Sequence, residues 1–215
     1  VLWDKYGITS YIRGGAQQLA WHSYYLLEET FKYETPKVVV FNVYALKYGE
    51  PQSEAYNRMT FDTMKWSSSK VNAIKASMTE DESFVDYLFP ILRFHSRITE
   101  LTADDFKYMF GASDVSDSGY LMQTAVRPMT TTRTGDDLFD YTLPSTSFSY
   151  LDKIRELCEK KGAELILIKA PTNHWKFWWY EEWDEQIVNY AKEHGLDYIN
   201  FIPLCDEIGI DWSTD

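Results

Sequence analysis

The stretch from Ala163 to Tyr180, AELILIKAPTNHWKFWWY, decides the fold. Its apolar run, Leu165 to Ile168, is bounded by Gly162 and Pro171. A strand covered by helices on both faces needs no polar alternation, so the run predicts a buried parallel strand. Pro171 biases Ala170 toward extended geometry, and the chain should leave the sheet abruptly there. Ligands of open α/β sheets bind at the carboxyl ends of such strands. Asn173, His174 and Trp175 therefore read as one wall of a binding cleft.

Working outward, Tyr150–Lys161 has the amphipathic spacing of a helix (Leu151, Ile154, Leu157, Cys158) stopped by Gly162. A second helix is expected over Glu182–Glu193, ended by His194 and Gly195, and a strand over Asp197–Phe201. Toward the N-terminus, Ile8–Ile12 is a short strand candidate closed by Gly14 and Gly15. A helix follows over about Gln17–Phe31, broken by Thr35 and Pro36, and then the strand Lys37–Tyr44. Strand, helix, strand predicts a right-handed βαβ unit. The pattern totals four parallel-type strands in a single α/β domain, 1–215. Between them, 45–149 reads as a largely helical insertion capping the carboxyl edge of the sheet. Its helices are expected at Ser53–Trp66, Lys70–Met78, Glu82–Ser96 and Ala103–Phe110, with start signals at Thr79-x-x-Glu82 and Thr102-x-x-Asp105. Gly111–Ser149 reads as a long loop with a short strand at Tyr120–Val126, and long ordered loops are usually functional.

Composition narrows the function. With 33 acidic against 21 basic residues the net charge is −12. A nucleic-acid binder would carry a basic stripe, so nucleic acid is excluded as a partner, and simple adhesion to anionic lipid is disfavoured. Aromatic residues make up 17% of the chain, which serves either a Tyr- and Trp-heavy core or a cleft for sugars and polymers. Cys158 and Cys205 form no C-x-x-C pair, and a buried free thiol is expected at Cys158. His22, His95, His174 and His194 fall into no metal-binding spacing, so no metal site is expected. No phosphate-loop pattern is present and no cofactor is expected. Val1 is not Met, and Val-Leu-Trp reads as the middle of a chain, so the sequence is expected to be a piece of a longer protein.

Several residues stand where chemistry could occur. Gly14 and Gly15 lie where a strand meets a helix, and serve either a tight turn of positive φ or backbone donation to an oxyanion. Asn42 and Tyr44 end the second strand, where Asn42 is either a loop cap or an oxyanion donor. His95 and Arg97 end an apolar helix, as C-capping or packed residues or as groups reaching the cleft from the insertion. Trp178, Trp179 and Trp183 read as packing. Ser23 follows His22 within a helix, where adjacent side chains diverge, so the two are not a catalytic pair.

Six segments together carry a resemblance: 1–8 (VLWDKYGI), 13–18 (RGGAQQ), 37–44 (KVVVFNVY), 95–97 (HSR), 171–175 (PTNHW) and 208–215 (IGIDWSTD). The chain resembles the SGNH/GDSL hydrolase superfamily. Within it, the chain looks closest to the cell-envelope branch of the D-alanyl-lipoteichoic acid biosynthesis protein and alginate-type O-acetyltransferases. The resemblance implies a three-layer α/β/α sandwich, flavodoxin-like, around a mostly parallel sheet of about five strands. It implies a Ser that attacks an ester carbonyl and a His–Asp pair that moves the proton. Gly14 or Gly15 would match the family's second-block glycine and Asn42 its third-block Asn, although the usual Gly-x-Asn-Asp is missing. Asn173, His174, Trp175, His95 and Arg97 would contact the substrate, a polysaccharide or a teichoic-acid-like polymer. The resemblance places the protein outside the cell behind an N-terminal membrane anchor. The nucleophile should lie in a strand with Gly-x-Ser within about 20 residues before Val1, and the Asp/His pair within about 20 after Asp215. Residues 1–215 alone are then expected to be inactive. The alternative is a non-catalytic carbohydrate-binding or scaffold protein of the same fold.

Overall fold

The structure, a computed structural model, describes residues 2–100, 102, 119, 142–172 and 181–212. The sheet has three strands among these, β1 (Val38–Asn42), β2 (Glu164–Lys169) and β3 (Asp197–Asn200), in that order and all parallel. The strand expected from the apolar run is β2, in the middle of the three; Leu165, Leu167 and Lys169 on one face are buried, and Ile166 and Ile168 on the other are half-buried. The expected strand at Ile8–Ile12 does not form, and Ile8, Tyr11 and Ile12 are exposed. A strand exists only through a ladder with a neighbour, and among the described residues β1 pairs with β2 alone. The N-terminal βαβ unit is therefore helix then strand: α1 (Leu2–Tyr6), a coil, α2 (Ala20–Thr30), then β1.

After β1 a 3-10 turn (Val43–Leu46) leads into α3 (Glu54–Phe61), α4 (Ser68–Ser77), α5 (Phe84–Leu88) and α6 (Pro90–Phe94), then a second 3-10 stretch, His95–Glu100. The helix expected over Glu82–Ser96 is split. Phe89, held before Pro90, takes φ −126° and ψ 76°, because the proline ring disfavours the α region for the preceding residue. The helix expected to run to Trp66 ends at Phe61. The Thr79–Glu82 start signal is real, since the Thr79 N–H and hydroxyl both donate to the Glu82 carboxylate at 3.0 Å, although Ser83 is the actual cap. α7 (Ser145–Lys161) begins inside the expected loop and ends at Gly162, whose φ of 70° suits glycine. α8 (Glu181–His194) connects β2 to β3. The helix Ala103–Phe110 and the strand Tyr120–Val126 lie outside the described residues.

Pairing in register puts Val39, Phe41, Leu165, Leu167 and Lys169 on one face of the sheet. Phe41, Leu165 and Leu167 share one buried cluster with Ala20 of α2, Leu151, Ile154 and Cys158 of α7, and Trp183, Ile187 and Ala191 of α8. Each fully buried aliphatic or aromatic side chain there contributes about 1.5–3 kcal/mol. On the opposite face Val38, Val40 and Ile199 are exposed. The cause is topological: β1 to β2 and β2 to β3 step in one direction, and right-handed crossovers that step one way leave their helices on one face. The architecture is α/β at that level, and two layers are formed by the described residues.

A second cluster, Leu26, Phe61, Met64, Ala73, Ile74 and Tyr87, joins the outer side of α2 to α3, α4 and α5. Helices α3, α4 and α5 of the 45–149 insertion thus pack on α2. A polar network crosses the same junction. Leu19 N–H donates to His22 Nδ1 at 3.0 Å, and His22 Nε2–H donates to Asn57 Oδ1 at 2.9 Å. Asn57 Nδ2 then donates to the Ser77 carbonyl at 2.6 Å and to Glu82 at 3.0 Å. Because a backbone N–H can only donate, Nδ1 is the unprotonated nitrogen and His22 is neutral. Burial pulls its pKa down to about 4, against the opposing effect of Asn57.

Candidate active site at the carboxyl end of the first strand

A cavity of about 800 Å3 runs along the outer edge of β1. The Glu164 N–H donates to the Lys37 carbonyl at 2.9 Å, which sets the parity of the ladder. Residues 37, 39 and 41 turn their backbone groups toward β2, and 38, 40 and 42 turn theirs outward. One wall of the cavity is therefore a strand edge that no strand pairs among the described residues. α2 feeds β1 through a short turn, so it runs antiparallel to it, and the coil before α2 returns to the carboxyl end of β1. Gly14, Gly15 and Asn42, far apart in sequence, consequently line the same cavity.

The fold does not demand glycine at 14 or 15. Neither has a positive φ; in that coil the positive values belong to Gly7, 64°, and Gln17, 49°. A Cβ at Gly14 would meet nothing nearer than 3.6 Å, and at Gly15 the nearest atom is Gln18 Oε1 at 3.6 Å. The reading of a tight turn with positive φ is thereby corrected at both positions. Asn42 caps the 3-10 turn, its Oδ1 accepting from Tyr44 N–H at 3.3 Å. Tyr44 in turn donates its hydroxyl to the Ala170 carbonyl, tying β1's exit to β2's. Burial raises the Tyr44 pKa, so it is a neutral donor.

The other candidates separate. His95 is exposed, is the C-cap residue of α6, and donates from Nδ1 to the Leu92 carbonyl at 2.8 Å; Arg97 belongs to the following 3-10 stretch. His95 is not among the described residues lining the cavity. Asn173, His174 and Trp175, with Trp178 and Trp179, lie outside the described residues. Trp183 is fully buried, as packing requires. His22 and Ser23 diverge: the imidazole reaches Asn57, and the Ser23 hydroxyl donates to the Leu19 carbonyl at 3.2 Å. Cys158 and Cys205 are buried free thiols, and burial pushes Cys158 up to about 11. Among the described residues no cluster of His, Cys, Asp or Glu could hold a metal ion, and no helix is long and apolar enough to cross a membrane.

One group was missed from sequence. Lys169, the last residue of β2, is 1% exposed. Its Nζ lies 3.1 Å from Asp184 Oδ1 and 4.7 Å from the centre of the Trp183 ring. The same Asp184 oxygen accepts from Tyr198 at 2.5 Å and Asn200 at 3.2 Å. One carboxylate on the first turn of α8 thus fastens the carboxyl ends of β2 and β3. Desolvation lowers the Lys169 pKa while Asp184 opposes it. A lysine closing an apolar run gives no sign of such burial, since its partner arrives only when α8 folds back.

Comparison with protein-family models, with curated proteins and with solved structures finds nothing that matches the chain. The α/β class is therefore carried by the parallel sheet itself, and any functional reading by the cavity beside it.

Proposed function

We propose that this chain is the greater part of an SGNH-type O-acyl esterase or acyltransferase that acts outside the cell on a cell-envelope polysaccharide or teichoic acid. The observation that carries the reading is the convergence of Gly14, Gly15 and Asn42 on one cavity at the carboxyl end of β1, beside a strand edge that no strand pairs among the described residues. In this reading the nucleophile-bearing strand, from residues before Val1, pairs with β1 at the outward groups of Val38, Val40 and Asn42. A further helical layer then covers Val38, Val40 and Ile199, completing a three-layer α/β/α sandwich. Support for that layer is physical, because all-parallel sheets are stable when both faces are buried.

The chemistry follows from placement. The serine Oγ adds to the ester carbonyl carbon as a histidine takes its proton. Negative charge gathers on the former carbonyl oxygen, where the Gly14 or Gly15 N–H and the Asn42 side-chain amide donate to it. Collapse expels the alcohol, which leaves with the proton from histidine, and the acyl-serine passes its acyl group to water or a sugar hydroxyl. The Asp and His come from beyond Asp215.

The test is p-nitrophenyl acetate hydrolysis by the longer polypeptide. Turnover is expected, with loss on changing the serine of its Gly-x-Ser to Ala and a drop of about 10²–10³ for Asn42→Ala, the cost of losing one oxyanion donor. An inactive longer polypeptide, or one indifferent to the serine, would leave a non-catalytic carbohydrate-binding protein instead.

A further inference from the structure

The coil that carries Gly14 and Gly15 ends at Leu19, the residue before α2. Helix starts are normally capped by the side-chain oxygen of Ser, Thr, Asp or Asn, and Leu19 offers none. His22 holds this residue instead, its Nδ1 accepting from the Leu19 N–H at 3.0 Å. That bond is one half of a capping box, the half that Glu or Gln ordinarily supplies. Gly15 is joined to the held amide through a turn, its carbonyl accepting from the Gln18 N–H at 3.3 Å. Residues 10–15 and 17–19 all line the cavity.

An imidazole has a second nitrogen, and here it reaches out of the helix. His22 Nε2–H donates to Asn57 of α3 at 2.9 Å, and Asn57 is anchored in turn to the Ser77 carbonyl and to Glu82. The ring is buried, with the Phe61 ring centre 5.1 Å away and that of Trp21 5.7 Å away, so it cannot swing aside. α3 meets the coil a second time, because a Cβ on Gly15 would stand 3.7 Å from Thr60 Oγ1. Asn57 and Thr60, three residues apart, share one face of that helix. The last peptide of the coil is therefore fixed against α3 and the end of α4 as well as against α2. Where that peptide sits sets where the glycine N–H groups sit.

We propose that His22 is a positioning residue for the candidate site: braced by Asn57, it holds the coil so that the Gly14 and Gly15 N–H groups keep their place in the cavity. It acts through Leu19 and not on the substrate. The inference rests on the acyl-transfer reading for what those N–H groups meet, and on the hydrogen bonds alone for the clasp itself.

The test combines p-nitrophenyl acetate hydrolysis with hydrogen exchange at single amides, followed by NMR, on the longer polypeptide. His22→Phe fills the space but removes the acceptor. It should lower kcat about tenfold to a hundredfold with KM within about twofold, the scale of misplacing a reacting group by about 1 Å. Exchange at the Leu19 amide should quicken by about fivefold, the scale of one hydrogen bond, beyond any change at Leu167 of β2, which reports global opening. His22→Gln restores an acceptor at the same helical position and should keep kcat within about threefold and the Leu19 amide protected. Ile74→Val loosens the same buried cluster without removing a hydrogen bond and should leave kcat unchanged. Where His22→Phe does not fold, Asn57→Ala unbraces the ring and should give the same two effects at about threefold or more. A normal kcat in His22→Phe, equal losses in His22→Phe and His22→Gln, or an equal loss in Ile74→Val would overturn the proposal. A longer polypeptide without hydrolysis fails the acyl-transfer reading, and Leu19 protection then decides whether His22 holds the coil. Faster Leu19 exchange with an untouched kcat in an active polypeptide fails this inference alone.

Discussion

His22 makes the junction between the two cores sensitive to acid. Its Nδ1 accepts from Leu19 N–H and its Nε2–H donates to Asn57, so a second ring proton would face a backbone donor. Folding lowers its pKa from 6.5 to about 4. Below 6.5 the unfolded chain takes up the proton first, and protons bound preferentially by the unfolded state reduce stability. The contribution of neutral His22 is fully present above about pH 6.5 and declines as the pH falls toward about 4, where the folded form is protonated too. At about pH 5 the loss relative to about pH 7.5 is about 2 kcal/mol, and near full protonation it approaches about 3 kcal/mol, from about 1.4 kcal/mol per unit of pKa difference. Other titrating groups add their own slope, so the assay needs a control. Urea unfolding midpoints and slopes would be measured at both pH values for the natural chain and for His22→Gln. The variant keeps a polar side chain but does not titrate. It also loses the edge-to-face packing on Phe61, whose ring centre is 5.1 Å away, so it starts less stable. The expected result is a fall about 2 kcal/mol larger in the natural chain than in the variant. Equal falls, within about 0.5 kcal/mol, would refute the neutral buried imidazole.

Other outcomes follow from the same geometry. Asp184→Leu leaves Lys169 buried without its counter-charge and should cost about 3–5 kcal/mol in urea unfolding. Lys169→Met should cost less than half of that, because Tyr198 and Asn200 still donate to Asp184, and the double variant should recover much of the loss. Gly15→Ala should leave stability unchanged or raise it by about 0.4–1 kcal/mol, since no positive φ or close contact opposes a Cβ. In the longer polypeptide the same change should slow ester hydrolysis about a hundredfold by displacing the reacting carbonyl. A stability loss without a rate effect would return Gly15 to a structural role.

What the sequence disclosed and what it withheld separate along one line. β2 and α7 were legible because a bounded apolar run and a 3.6-residue apolar spacing are local signals, and Gly162 marks the stop between them. The break at Phe89 was also legible, in Pro90, and an uninterrupted helix over Glu82–Ser96 overlooks it. Ile8–Ile12 has strand-like residues, but strandness depends on a neighbour that no local pattern supplies. The meeting of Gly14 and Gly15 with Asn42 arises from α2 doubling back on β1, and the Lys169–Asp184 pair from α8 doubling back on β2. Both are tertiary facts.

The most direct measurement is the site of covalent labelling. The longer polypeptide would be treated with a fluorophosphonate, which adds to an activated serine oxygen with loss of fluoride, and the labelled peptide would be mapped by mass spectrometry. The account predicts one label on a serine preceding Val1, with slower labelling in Asn42→Ala as an oxyanion donor is lost. A label confined to residues 1–215, or no label on folded protein, would contradict an acyl-transfer centre at the open edge of β1.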